Sequence, residues 1–288
     1  MSLYRHKYAL LVRRELWEHR SLFIAPLVAA SLLLLTVLLG AGFSAERLVV
    51  GLPPPEELRE MINGQGLGHI AASTLVGTTA FIGTIAGIAV LFFLLDALYA
   101  ERKDRSILFW KSMPVSDTET VLAKLAVGLV VVPVGTVLLA TALQPVAAAF
   151  LYLRMETLRP LMDASLFTGW ITGFGRMLLT CVFVGLWYLP VAAWLLLASV
   201  VSRRLPMAVA FLPMALIGMF ESIAFGRPYV SRVIGLRLLP WDSQAAPLLT
   251  PGQDILGVFL DPELWVGLAV GIVMVYIVIR LRRYRDDT

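Results

Sequence analysis

Charge, cysteine and histidine are all scarce in this 288-residue chain, and each scarcity removes a class of protein. Only 15% of the residues are charged, whereas a soluble domain carries about 25%, so the chain is not built to cover itself with a water-facing surface. The single cysteine, Cys181, lies within an apolar run; no intrachain disulfide can staple the fold, and the thiol reads as a small apolar filler. The three histidines, His6, His19 and His69, are read as lacking Cys, Asp or Glu partners at metal-ligand spacing, so no metal site is expected. A G-x-x-x-x-G-K-[ST] phosphate loop is also missing, which denies the chain the usual backbone cage for ATP.

What the chain has in excess is apolar sequence. Apolar residues make up 59% of it and its mean hydropathy is +0.82. They gather in blocks near the length, about 20 residues, at which a helix rising 1.5 Å per residue crosses about 30 Å of hydrocarbon. Six such runs are expected to span: 22–42, 70–98, 121–143, 177–201, 205–225 and 264–281. The fold class is therefore all-α integral membrane protein, a single domain over 1–288. The first run follows about 20 polar residues and exceeds the roughly 7 to 15 residues of a secretory core, so it reads as an uncleaved span.

Lys and Arg set the orientation, because they collect in the cytoplasmic connections. Sixteen fall on the side of the two termini and eight on the other, which puts both termini in the cytoplasm. The net charge of +4 is explained by this bias and calls for no nucleic acid. Segment 1–20 carries Tyr4, Tyr8, Leu11 and Val12 on one helical face, interrupted by Glu15; it is expected to lie as an amphipathic helix in the cytoplasmic interface, its basic residues near anionic headgroups. The outer connections run over 43–69, 144–176 and 226–263. The last mixes five prolines with short apolar stretches, a pattern that fits either short re-entrant or surface-lying helices or a packed outer loop.

Charges inside the spans are few, as their cost of roughly 2.5 to 3.5 kcal/mol at a helix centre requires. Asp96 sits near the inner end of the second span, within reach of Arg102 or Lys103. Glu221 sits near the outer end of the fifth, as a candidate gate residue or a partner for Arg227. No histidine falls in a span and the carboxylates lie near span ends, so catalytic residues are not expected. Three G-x-x-x-G pairs, Gly83 with Gly87, Gly169 with Gly173 and Gly267 with Gly271, permit close helix approach, within the chain or between copies.

One cytoplasmic connection is long. It reads ERKDRSILFWKSMPVSDTETVLAKL from Glu101 to Leu125: a charge cluster, an apolar aromatic turn, a break at Pro114, then Ser116 and Glu119 at capping-box spacing to start the third span. An aromatic turn held on a polar loop suits docking of a cytoplasmic protein.

The run SILFWKSMPVSDTETVLAKL after ERKD resembles the inner loop of ABC-2 type permeases, the membrane subunits of ATP-driven exporters. The opening RRELWEHRS, Arg13 to Ser21, resembles their N-terminal interfacial helix, and six spans with both ends inside are similar to their layout. The resemblance implies that 101–120 is a coupling loop seated on a separate ATPase. Asp104, Arg105, Ile107, Leu108, Phe109, Trp110 and Lys111 would make the contact, with Phe109 and Trp110 as buried anchors. It implies a homodimeric permease carrying two ATPase subunits, ATP and Mg bound by those subunits, no cofactor on this chain, and a place in the bacterial inner membrane. A membrane scaffold docking a non-hydrolysing partner, or a secondary transporter, are the competing readings.

Overall fold

The computed structural model describes residues 2–40, 67–104, 115–154, 164–227, 230–238 and 256–284. Among them there is no strand, and six helices are long and apolar enough to cross a membrane. The chain is thus a multi-pass helical membrane protein. Backbone groups in hydrocarbon must be satisfied within their own segment, and a helix does this without a partner strand.

Helix α1 (Ser2–Glu18) precedes the first span, α2 (Ser21–Gly40). Between them His19 and Arg20 break the helix, and the His19 ring meets Phe93 edge-on at 4.8 Å. The second span, α3 (Leu67–Asp96), is followed by the short α4 (Tyr99–Lys103). The third span begins as α5 (Asp117–Ala126), passes through a π-helical turn at Val127–Val131, and continues as α6 (Val132–Arg154). The cause of the π turn is local: Pro133 has no N–H for the Leu129 carbonyl, so the regular ladder cannot run through this point.

The fourth span departs from the sequence reading of 177–201. Helix α7 (Ala164–Trp187) starts well upstream of Met177, and α8 (Leu189–Val201) follows after a break at Tyr188. Thr, Gly and Arg176 dilute the hydropathy of 164–176, which is why that stretch reads as an outer connection. Pro190 withholds an N–H from the Leu186 carbonyl and so divides the helix in two. The outer connection expected over 144–176 is correspondingly shorter, since α6 runs on to Arg154.

Helices α3 and α7 with α8 lie side by side and run the same way. Gly68 faces Ser165 and the Cα of Gly169, and Gly173 faces Ala72. At the far end the Ser199 hydroxyl accepts from the Leu98 and Tyr99 N–H groups at 3.1 and 2.9 Å. The pairing keeps a constant offset of 101 residues. At about 1.5 Å per residue, the 30 residues of α3 extend about 45 Å, beyond the ~30 Å of hydrocarbon. Two of the three G-x-x-x-G pairs are used inside the chain: Gly169 and Gly173 against α3, and Gly271 against Leu189 and Pro190.

The fifth span, α9 (Pro206–Phe225), ends where Gly226 adopts φ 62°, the left-handed conformation of a helix stop. Two short helices, α10 (Val230–Leu238) and α11 (Leu256–Phe259), precede the last span, α12 (Pro262–Tyr284). The Trp187 indole donates to the Arg237 carbonyl at 3.1 Å and the Tyr188 hydroxyl to that of Leu238 at 2.9 Å, fixing the end of α10 to the α7/α8 break. The Arg237 guanidinium lies over the Trp187 ring at 4.1 Å and donates to the Glu263 carbonyl at 2.9 Å. The 13 residues of α8 put that break about 20 Å from the end where Ser199 meets α4.

A Cβ added at Gly169 would collide with the Gly68 backbone, which no rotamer can relieve. Gly169→Val is therefore expected to destabilise the folded chain by about 1 to 3 kcal/mol. Gly175→Ala, with nothing within 4 Å, is expected to match the parent; thermal unfolding in detergent, followed by size-exclusion chromatography, reads the difference.

Candidate functional site

At the end of the bundle where α1, α4, α5 and the close of α12 meet, four ionised side chains are withdrawn from solvent. Lys124 is 1% exposed, Glu15 2%, Arg282 4% and Glu101 6%. The Lys124 ammonium donates to both carboxylate oxygens of Glu15 at 3.0 and 2.9 Å and lies 3.0 Å from Glu101 Oε1. Arg282 places Nη1 2.9 Å from Glu101 Oε2 and donates through Nε to Asp117 at 3.0 Å. Arg14 comes within 4.0 Å of Glu101 while its Nε donates to Glu18 at 2.7 Å. A second ion pair flanks the cluster, with Lys7 Nζ donating to the two oxygens of Glu119 at 3.0 and 2.8 Å.

Helical spacing builds the cluster. Lys7, Leu11 and Glu15 follow one another by four on α1 and form its inward stripe, with Leu11 buried between the two charges. Asp117 and Lys124 are seven residues apart on α5, two turns along one face. The first turn of α5 is a capping box: Glu119 N–H donates to Ser116 Oγ at 3.2 Å, and Ser116 N–H donates to Glu119 Oε2 at 2.8 Å. Glu119 thus closes the helix start and receives Lys7 at once. The capping box is as the sequence indicated, and of the apolar face expected on α1, Leu11 is buried and Val12 partly so. Glu15, which interrupts that face in the sequence, is its most deeply held residue, and Tyr8 is exposed.

The pairing of charge explains how so many ions are tolerated. Arg14, Lys124 and Arg282 are shared among Glu15, Glu18, Glu101 and Asp117, so that each carboxylate has a cation within 4.0 Å. Each ion taken out of water costs several kcal/mol, and only close pairing with further hydrogen bonds offsets it. The arrangement is therefore all-or-none: complete, it locks four elements together; missing one member, it holds an uncompensated charge.

Glu101 and Asp117 stand at the two roots of the connection read as a coupling loop, and Arg282 bridges them. Asp104 ends α4, its N–H donating to the Ala100 carbonyl at 2.9 Å, and is exposed. Arg105, Ile107, Leu108, Phe109, Trp110 and Lys111 lie outside the described residues. The Arg102 guanidinium turns to α8, donating to the Ser199 and Ser202 carbonyls at 2.5 and 2.9 Å, and Asp96 is exposed. Glu221 accepts from the Val230 N–H at 2.6 Å and so closes the first turn of α10. This is a structural task that its place in the sequence did not indicate.

His19 does have carboxylates at hand, contrary to the sequence reading. Glu15, Glu18 and His19 bring potential ligand atoms within 4.8 Å of one another. Glu15 is committed to Lys124 and Glu18 to Arg14, while His19 Nδ1 lies 3.3 Å from the Glu15 carbonyl, so the group belongs to the ionic cluster. The cluster's own sequence signal is subtle: Lys124 and Arg282 each flank an apolar run on its terminal turn, where a cation normally snorkels into water. The site and fold define a polytopic helical membrane protein whose charged side chains are paired at one end of the bundle. No family model matches the chain, and no curated protein matches it either.

Lys124→Met is expected to destabilise the protein by about 3 to 5 kcal/mol, since it leaves Glu15 and Glu101 buried with one cation fewer. In the double variant Lys124→Met/Glu15→Leu, part of that loss should return, because charge is then removed in a pair. Thermal unfolding of the three proteins in one detergent checks both statements; equal melting of Lys124→Met and parent would contradict the first.

Proposed function

We propose that this chain is the membrane subunit of an ATP-driven exporter of the ABC-2 type, working as a homodimer over two copies of a separate ATPase. The observation that carries the reading is the ionic cluster at the roots of the 101–120 loop. Glu101 before the loop and Asp117 after it are held by the same Arg282, and Lys124 fastens both to the N-terminal helix. A loop used to transmit force needs such roots, because a push on a compliant anchor would be absorbed rather than passed to the spans. Here any displacement of the loop bears on the second, third and sixth spans together.

Other features agree with this role. The cluster joins the N-terminal helix, the long connection and the end of the last span at one end of the bundle, and the Lys and Arg bias gives that end to the cytoplasm. Both termini then lie in the cytoplasm of a bacterial inner membrane, with α1 in the interface. The α10 helix runs back from the α9 stop to a point about 20 Å from the ionic end, as a re-entrant outer helix does. The fifth span turns large apolar side chains outward, among them Phe211, Leu216, Phe220 and Ile223, a face suited to the second copy. ATP and Mg belong to the ATPase, and this chain contributes the pathway and the lever.

Mild detergent extraction of the tagged chain is expected to bring with it an ATPase carrying a phosphate loop. In a Trp110→Ala/Lys111→Ala variant that subunit should be lost, or its ATPase activity should cease to respond to the membrane subunit, with the permease still folded. Recovery of a partner that hydrolyses no nucleotide would replace the exporter with a membrane scaffold.

A further inference from the structure

The elbow between α1 and α2 holds an open groove lined by Arg13, Leu16, Trp17, Arg20, Phe23 and Ile24. Arg13 on α1 and Arg20 in the helix break both line it, and the Arg13 guanidinium lies 4.9 Å from the centre of the Trp17 ring. The nearest acidic residue on α1, Glu18, is turned away to Arg14. Among the described residues neither Arg13 nor Arg20 is paired with a carboxylate. Two exposed guanidinium groups beside an aromatic ring thus face one opening, and its chemistry suits an oxyanion held by charge and by bidentate hydrogen bonds.

Below the groove the surface changes character in a way that identifies the rest of the ligand. Ile24, Leu27, Val28, Leu32, Leu35 and Leu39 are exposed at intervals of three and four along α2, with exposures between 47% and 56%. They make one continuous apolar stripe that begins at the guanidinium pair and runs down the span. Trp17, 68% exposed, sits at the boundary between the two regions, where an amphipathic ring is at home in a bilayer. A cationic head site followed without interruption by an apolar track matches an amphiphile with an acidic head and long chains.

We propose that the α1–α2 elbow is a binding seat for an anionic glycerophospholipid of the leaflet it faces. Arg13 and Arg20 hold the phosphate, Trp17 rests at the glycerol level, and an acyl chain lies along the α2 stripe. Free phosphate has no use for the stripe, and a neutral headgroup leaves the two cations uncompensated. This inference requires only that the chain spans a bilayer, and stands or falls separately from the exporter reading.

The test uses the full chain in phosphatidylcholine nanodiscs containing an equal, low mole fraction of acyl-brominated phosphatidylglycerol or acyl-brominated phosphatidylcholine. The Trp17 contribution to fluorescence is obtained by difference from Trp17→Phe. Bromine near the ring quenches it, and the expected result is a roughly thirtyfold preference for the anionic lipid, given two basic contacts. That preference should be abolished in Arg13→Gln/Arg20→Gln and only partly kept in Arg13→Lys/Arg20→Lys, which retain the charge but not the bidentate geometry. Both Arg side chains are exposed, so the variants are expected to elute and melt like the parent. Equal quenching by the two lipids, a preference that survives the Gln variant, or a Trp17 that neither lipid quenches would each overturn the proposal. The last outcome would mean that protein, such as a second copy, covers the groove.

Discussion

The contact of Lys124 with Glu15 and Glu101 is the constraint on which the polar end of this molecule depends. A lone ammonium at 1% exposure would be intolerable; two carboxylates from different helices make it stable and, in doing so, dictate where those helices lie. Helix α1 packs Leu11, Val12 and Leu16 on the bundle, and the ion pairs at Lys7 and Glu15 add directional contacts on the same side. The same holds for α12, whose last turn is fixed by Arg282 reaching both Glu101 and Asp117. Whether such buried pairs add net stability over an apolar core is a separate matter, since their chief effect is often to specify one arrangement.

Within the bundle, steric fit replaces charge. Lipid tails are as apolar as leucine, so helices associate through close packing rather than through the hydrophobic effect. The constant offset between α3 and the α7–α8 pair shows how this works here: Gly68 and Gly169 let the backbones nearly touch at one end, and Ser199 binds two backbone amides at the other. Between these fixed points, Leu75, Ile82, Met177 and Phe93 fill the space in two apolar clusters.

Much of this arrangement was legible in the sequence, and the exceptions have common causes. Length and hydropathy located the first, second, third, fifth and sixth spans, because an apolar block near 20 residues has few other uses. They misplaced the fourth, because polar Thr and Gly and a central Pro190 are acceptable wherever neighbouring helices cover the backbone. The capping box at Ser116 was readable because it is local. The ionic cluster was not, since Glu15, Glu101, Lys124 and Arg282 lie far apart in the chain and each looks like an ordinary charge at a span end. Glu221 presented a different difficulty: near the outer end of its apolar run it read as a gate residue or a partner for Arg227, and nothing in its position announced that it also accepts from a backbone amide nine residues on.

Because the cluster gathers residues from position 14 to position 282, it also bears on biosynthesis. Chains are made from the N-terminus, so Arg14, Glu15, Glu101, Asp117 and Lys124 reach the membrane surface long before the last span is complete. Until Arg282 emerges, Asp117 is without its guanidinium and Glu101 is without one of its three cations. A chain stalled before Arg282 therefore holds two carboxylates short of a partner that the sixth span later supplies.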